Sequence, residues 1–233
     1  MNMSRQEYLN HMKDACWVPG WSAILEAFAR VYIAPGEYLP IRQFDDFHSS
    51  LEGFGVYRSP QHYLHIVTRG LSRIYPHPEA YGRDTSGWGF ELTIKWPGEK
   101  WTECIDAFRI LDRLAELIDI KKIGFAPMTR LWRGRDPLSE AAFSQYGAGL
   151  ITLPDTKVKA INTVHGLVSF LQIVNISAGD AKKLSNVPLR ISYLVNRMKI
   201  EDESIPFHLP SPHDYLTASS DIPTGKDTTH VDR

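Results

Sequence analysis

The chain has 233 residues and a mass of 26.5 kDa, enough for one large domain, or one domain plus a tail. With 43% hydrophobic and 23% charged residues it has ordinary globular composition. A chain of this size buries roughly 70–75% of its unfolded surface, so it needs no disulfide or metal staple. Its 26 basic and 27 acidic residues give a formal charge of −1, which removes the usual argument for a whole-protein nucleic-acid or acidic-membrane binder.

Met1 to Asp14 is polar and mixed in charge, without the apolar stretch of a signal peptide. Ser4 to Ala15 reads as a polar helical lead-in. Pro19-Gly20 punctuates the chain. After it, Trp21, Ile24, Leu25, Phe28, Val31 and Tyr32 recur at helical spacing, which predicts an amphipathic helix over 21–33, ended by Pro35-Gly36. Cys16 and Cys104 stand far apart with no CxxC. They read as buried free thiols in a reducing cytosol, not as a disulfide framework or zinc site.

Gly53–Ser59 and Gln61–Thr68 are rich in β-branched and aromatic residues and read as strands. Pro76 and Pro78 mark a loop that runs to the turn Ser86-Gly87-Trp88-Gly89. Trp88, Phe90, Leu92, Ile94 and Trp96 then alternate with Gly89, Glu91, Thr93 and Lys95, so a strand carries all its large apolar groups on one face. Trp101 to Ile120 predicts a second amphipathic helix, with Ile105, Phe108, Leu111, Leu114, Ala115, Leu117 and Ile118 as its buried stripe.

Gly147–Pro154 reads as a short strand. Gly166–Val174 is nearly apolar on both faces, which suits a strand at the sheet centre. The apolar run Gly166–Ile176 is too short for the roughly 20 residues that span a bilayer. Asp180–Asn186 and Arg190–Met198 have helical character. Residues 201–233 carry seven acids against two bases, and from about 218 the tail is short and polar, the composition of a disordered segment. Together these elements predict an α+β domain over 1–200, a mixed sheet packed by helices, followed by an acidic tail over 201–233.

Catalytic signatures are missing: there is no Gly-x-Ser-x-Gly, His-Glu-x-x-His, Walker loop or Gly-x-Gly-x-x-Gly. His62 and His65 could suggest a metal pair, but strand geometry sends the two rings to opposite faces. Asp45-Asp46-Phe47-His48 fits a solvated loop better than a carboxylate–imidazole site. Glu91, opposite the apolar stripe, is a site acid on one reading and a cross-strand ion pair or a wet side chain on the other. Lys121, Lys122, Arg130, Arg133 and Arg135 form a basic patch with Phe125 and Trp132 interleaved. It reads as a charged loop, a face for an acidic protein or for the acidic tail, or an RNA surface. Trp17, Trp21, Tyr57, Tyr63, Tyr75, Tyr81 and Trp88 cluster at turns, as binding anchors or as core packing with a polar tip.

Four segments together resemble the Suppressor of fused domain: Trp17 with Pro19-Gly20-Trp21, Tyr57-Arg58 with His62–Ser72, Ser86-Gly87-Trp88-Gly89-Phe90-Glu91-Leu92-Thr93, and Gly166–Val174. The likeness spans 17–176 and keeps the family's order. It implies a non-enzymatic protein-binding module without cofactor or metal. Animal members clasp an extended segment of Gli-type transcription factors, which adds as a β-strand. Bacterial members are mostly single-domain and many resemble immunity proteins that neutralise toxins. The chain lacks the animal C-terminal half after Ile176, so the expectation is a bacterial, single-domain, cytoplasmic immunity protein bound to a toxin domain encoded nearby. A peptide-binding adaptor in signalling is the alternative, and a hydrolase or nucleic-acid binder ranks behind both. The resemblance puts partner contact at Tyr75 and Asp84, with Arg69, Tyr57 and Tyr81 as further candidates. It makes Trp21, Gly70, Ser86, Gly87, Gly89, Phe90, Glu91, Phe170 and Gln172 the structural motif.

Overall fold

The computed structural model describes residues 3–14, 16–32, 36–121 and 149–176. The basic patch beyond Lys121, the two helical segments after 180 and the acidic tail lie outside the described residues. Among those described, a seven-stranded mixed sheet is packed by three helices, an α+β architecture.

Helix α1 (Arg5–His11) begins at Ser4, whose side chain accepts from the Glu7 N–H while the Glu7 carboxylate accepts from the Ser4 N–H. Helix α2 (Pro19–Ala29) starts on Pro19, whose missing N–H costs nothing at a helix start. Strands β1 (Glu37–Pro40), β2 (Gly53–Arg58), β3 (Tyr63–Arg69) and β4 (Thr85–Pro97) form an antiparallel meander. A 3-10 turn (Trp101–Glu103) and helix α3 (Ile105–Lys121) follow, then β5 (Gly149–Pro154), β6 (Ala160–Thr163) and β7 (Gly166–Ile176). Strand β7 lies parallel to β4 and antiparallel to both β5 and β6, so it is the hinge line of the sheet, with neighbours on two sides. That position explains its lack of polar alternation.

Each face of the sheet carries its own core. On one face Phe54, Leu64, Ile66, Leu92, Ile94, Leu171 and Ile173 meet Phe108, Leu111, Leu114, Ala115 and Ile118 of α3. Each Leu, Ile or Phe among them contributes about 1.5–3 kcal/mol on full burial. On the other face Tyr57, Tyr63, Val67, Val168 and Phe170 meet Trp21, Ile24, Phe28 and Tyr32. Phe28 stacks on Tyr57 at 4.9 Å and meets Phe170 edge-on at 5.0 Å between ring centroids.

Four expectations change. Helix α2 ends at Ala29, and Leu25 and Val31 are exposed, because the arc through Trp21, Ile24 and Phe28 leaves them outside the buried stripe. Residues 101–103 are a separate 3-10 turn, and α3 begins only at Ile105. Cys104 is buried but Cys16 is exposed; both are free. The face of β4 opposite its apolar stripe is not wet: Glu91, Thr93 and Lys95 are all fully buried. Strands β1 and β6 add to the elements that the sequence pattern predicts. Both are only four residues long, and their burial alternates weakly.

Candidate functional site

Polar groups on the second face must find partners once α2 covers them. His65 Nδ1 lies 2.6 Å from the Tyr32 hydroxyl, and its Nε2 lies 2.8 Å from Asp155 Oδ2. The Thr93 hydroxyl also donates to Asp155 Oδ2, at 2.5 Å, while Asp155 Oδ1 accepts from the N–H groups of Lys157 and Val158. Burial works against the Asp155 charge, but the His65 ring and these hydrogen bonds outweigh it and hold the carboxyl well below the usual carboxylate range. Carboxylate, imidazole and hydroxyl thus stand in line, as in a nucleophilic triad. All three side chains are sealed in the core, with Tyr32 at 2% exposure, so the row ties the turn after α2 and the segment after β5 to the sheet. His62 lies outside the strand and pairs with Glu99 at the surface, 2.7 Å away.

Glu91 is the second buried carboxyl. Its Oε1 accepts from the N–H groups of Gly70 (3.2 Å) and Ser72 (2.9 Å) and from the Ser72 hydroxyl (2.5 Å). Its Oε2 accepts from the Thr68 hydroxyl at 2.6 Å. It is therefore neither a wet acid nor an open site acid. Burial pushes it up to about 7 even though Ser72, Thr68 and Gly70 all pull the other way. The motif Thr68–Ser72 and the motif Ser86–Thr93 are in this way one interlock. Gly87 completes it: at φ +55° it lies so close to the loop stem that a Cβ would sit 2.6 Å from the Ser72 carbonyl oxygen. Gly70 and Gly89 also have positive φ, at 136° and 76°. Phe90, Phe170 and Gln172 are buried, and the side chain of Ser86 lies outside the described residues.

The interlock fixes the stem of the long loop between β3 and β4. Loops of about 12–15 residues or more without elements of their own are usually either functional or disordered linkers, and this one is anchored at its stem. Tyr75, 44% exposed, and Asp84 stand on its surface. At the loop's far end the Asp84 carbonyl accepts from the Leu167 N–H at 2.9 Å. Tyr81 is half-buried and its hydroxyl donates to the Met3 carbonyl. Arg69 is committed: its guanidinium lies 4.6 Å from the ring centroids of both Trp21 and Tyr38, and Nε donates to Glu52 at 3.0 Å. Tyr57, at 1% exposure, reaches no partner without opening the α2 core, so it leaves the candidate set. Buried Trp21 stays a packing residue.

A separate cleft of about 450 Å³ is lined by Val56, Arg58, Leu64, Glu99, Lys100 and Trp101 among others, and holds none of the candidate residues. Among the described residues no three His, Cys, Asp or Glu side chains gather as a metal site. No described helix is long and apolar enough to cross a membrane.

A mixed sheet with a helix on each face, its β3–β4 stem locked by a buried glutamate, defines an α+β domain of Suppressor of fused type. The family model for Suppressor of fused protein (SUFU) matches residues 48–203, and the chain belongs to that family. The crystal structure of Drosophila Suppressor of Fused is similar with a TM-score of 0.62 and 18% identity, over 87% of this chain and 54% of that one. This chain thus spans about half of that relative. The structure described as the Sufu-Fu complex is similar with a TM-score of 0.64 and 18% identity, over 85% of this chain and 96% of that one. No curated protein matches the chain. The bacterial, single-domain type is not borne out by these comparisons, whose named organism is Drosophila.

Proposed function

We propose that this chain is a non-enzymatic protein-binding module whose partner meets the β3–β4 loop. The observation that carries the reading is the contrast within that loop. Its stem is buried and tied to Glu91, whereas Tyr75 and Asp84 are exposed, an aromatic and an acid held on a rigid base. A similar solved structure is that of a Sufu-Fu complex, which supports a protein partner. The two free thiols favour a reducing compartment such as the cytoplasm.

For the partner, the leading reading is a toxin domain encoded nearby, silenced by occlusion, in keeping with the immunity-like members of the family. Each neighbouring reading frame would be expressed with and without this chain. Growth rescue that Tyr75→Ala with Asp84→Lys abolishes is the expected result. Absence of any toxic neighbour, or rescue unaffected by both changes, overturns the reading. The Sufu-Fu neighbour favours a second reading, an adaptor that captures a short peptide in intracellular signalling. Peptide capture lost in the same double variant, without any toxic neighbour, would decide for it.

A further inference from the structure

We infer that helix α1 sets the shape of the partner-facing β3–β4 loop without itself meeting the partner, because buried Tyr8 anchors the middle of that loop. The inference rests on the reading of that loop as partner-facing. Tyr8 is the buried residue of α1, at 0% exposure. Its ring lies against Trp17, Tyr81 and His165, with centroids 5.2, 5.3 and 5.7 Å away. Its hydroxyl serves both polar groups of one loop residue: it accepts from the His77 N–H at 3.1 Å and donates to the His77 carbonyl at 3.1 Å.

The hydrogen count agrees. A phenol has one hydrogen and two lone pairs. His165 Nδ1 lies 3.2 Å from the same oxygen, so a neutral imidazole protonated at Nδ1 donates to the remaining lone pair. Burial lowers the His165 basicity to about 4, which keeps the ring neutral. The Tyr81 hydroxyl reaches back to the Met3 carbonyl, a second tie between loop and N-terminal segment. A helix of seven residues is marginal alone, so α1 and the loop order each other.

The consequence concerns Tyr75 and Asp84. Tyr75 lies between the Ser72 anchor on Glu91 and the His77 anchor on Tyr8. Asp84 follows the Tyr8 cluster and is itself pinned through its carbonyl by the Leu167 N–H. Residues 5–11 precede the family match at 48–203, so the family pattern does not mark this contribution.

The test uses the full chain carrying Tyr8→Phe, which keeps the ring and removes the hydroxyl; Tyr81→Phe is the second variant. Amide hydrogen exchange would be read in peptides covering 73–84, against 63–69 and 90–96 as internal references. Exchange in 73–84 should rise roughly tenfold in Tyr8→Phe, the factor expected for one buried hydrogen-bonding group, with the references unchanged. Unchanged loop exchange in both variants, or a parallel rise in all peptides, overturns the anchor. With the partner identified by rescue or capture, binding should weaken about tenfold in Tyr8→Phe. A loosened loop with unaltered binding would overturn the partner-facing reading, and with it the part that α1 plays in binding.

Discussion

Ser72 and Glu91 are joined twice: the Ser72 N–H and hydroxyl both donate to Oε1 of a carboxyl that no solvent reaches. Through this contact the strand that packs on α3 also holds the entry to the exposed loop. Fold and surface therefore share one buried group, and a change at Glu91 should be felt in both.

The first expected outcome is a pH signature. Glu91 sits near 4.5 when unfolded and at about 7 when folded, so between these values the folded state binds the extra proton. Stability should fall as pH rises through that window, by about 3 kcal/mol in all. Glu91→Gln keeps an acceptor for Gly70 and Ser72 and has no proton to lose. Urea midpoints from pH 4.5 to 8 should show the wild type losing stability relative to Glu91→Gln. Parallel curves would contradict the burial argument.

Asp155 has the opposite sign. Its carboxyl is held below the unfolded value, so its stabilisation is full above pH ~4 and is lost as pH falls below that. Asp155→Asn should remove that acid-side loss. Asp155→Ala, which strands His65 and the Thr93 hydroxyl, should cost about 3–5 kcal/mol near neutrality. Denaturant titrations at pH 3 and pH 7 separate the two effects.

Two glycines with positive φ make a matched pair. Gly82 (φ +72°) faces open space, while a Cβ on Gly87 (φ +55°) would press on the Ser72 carbonyl at 2.6 Å. Gly82→Ala should cost only the left-handed penalty of roughly 1–2 kcal/mol. Gly87→Ala should cost clearly more and speed exchange in the loop stem. Equal melting shifts would mean the close approach is relieved cheaply.

Tyr75→Ala and Asp84→Lys change exposed side chains, so unfolding free energies should stay within about 0.5 kcal/mol of wild type. Partner binding, once a partner is known, should drop tenfold or more in each. Variants that melt early would show instead that these residues support the fold.

The polar–apolar alternation from Trp88 to Trp96 and the helical stripe from Ile105 to Ile118 are local patterns, and both elements could be read from them. The doubly apolar Gly166–Val174 likewise announced an interior strand. The candidate surface was legible only in part. Tyr75 and Asp84 came through family likeness, but nothing local distinguishes exposed Tyr75 from buried Tyr57, because exposure depends on what lies across the sheet.

The chain order of residues thus determined the strands, the helices and the face each offers for burial, since periodicity is a property of neighbours. Tertiary structure alone decided the fate of the polar groups. Once α2 covers the second face, His65 must meet Asp155, and Glu91 must find the loop's N–H groups, because a polar group cut off from water needs a partner. Tyr8 reached His77 by the same rule, across 69 residues that no local pattern connects.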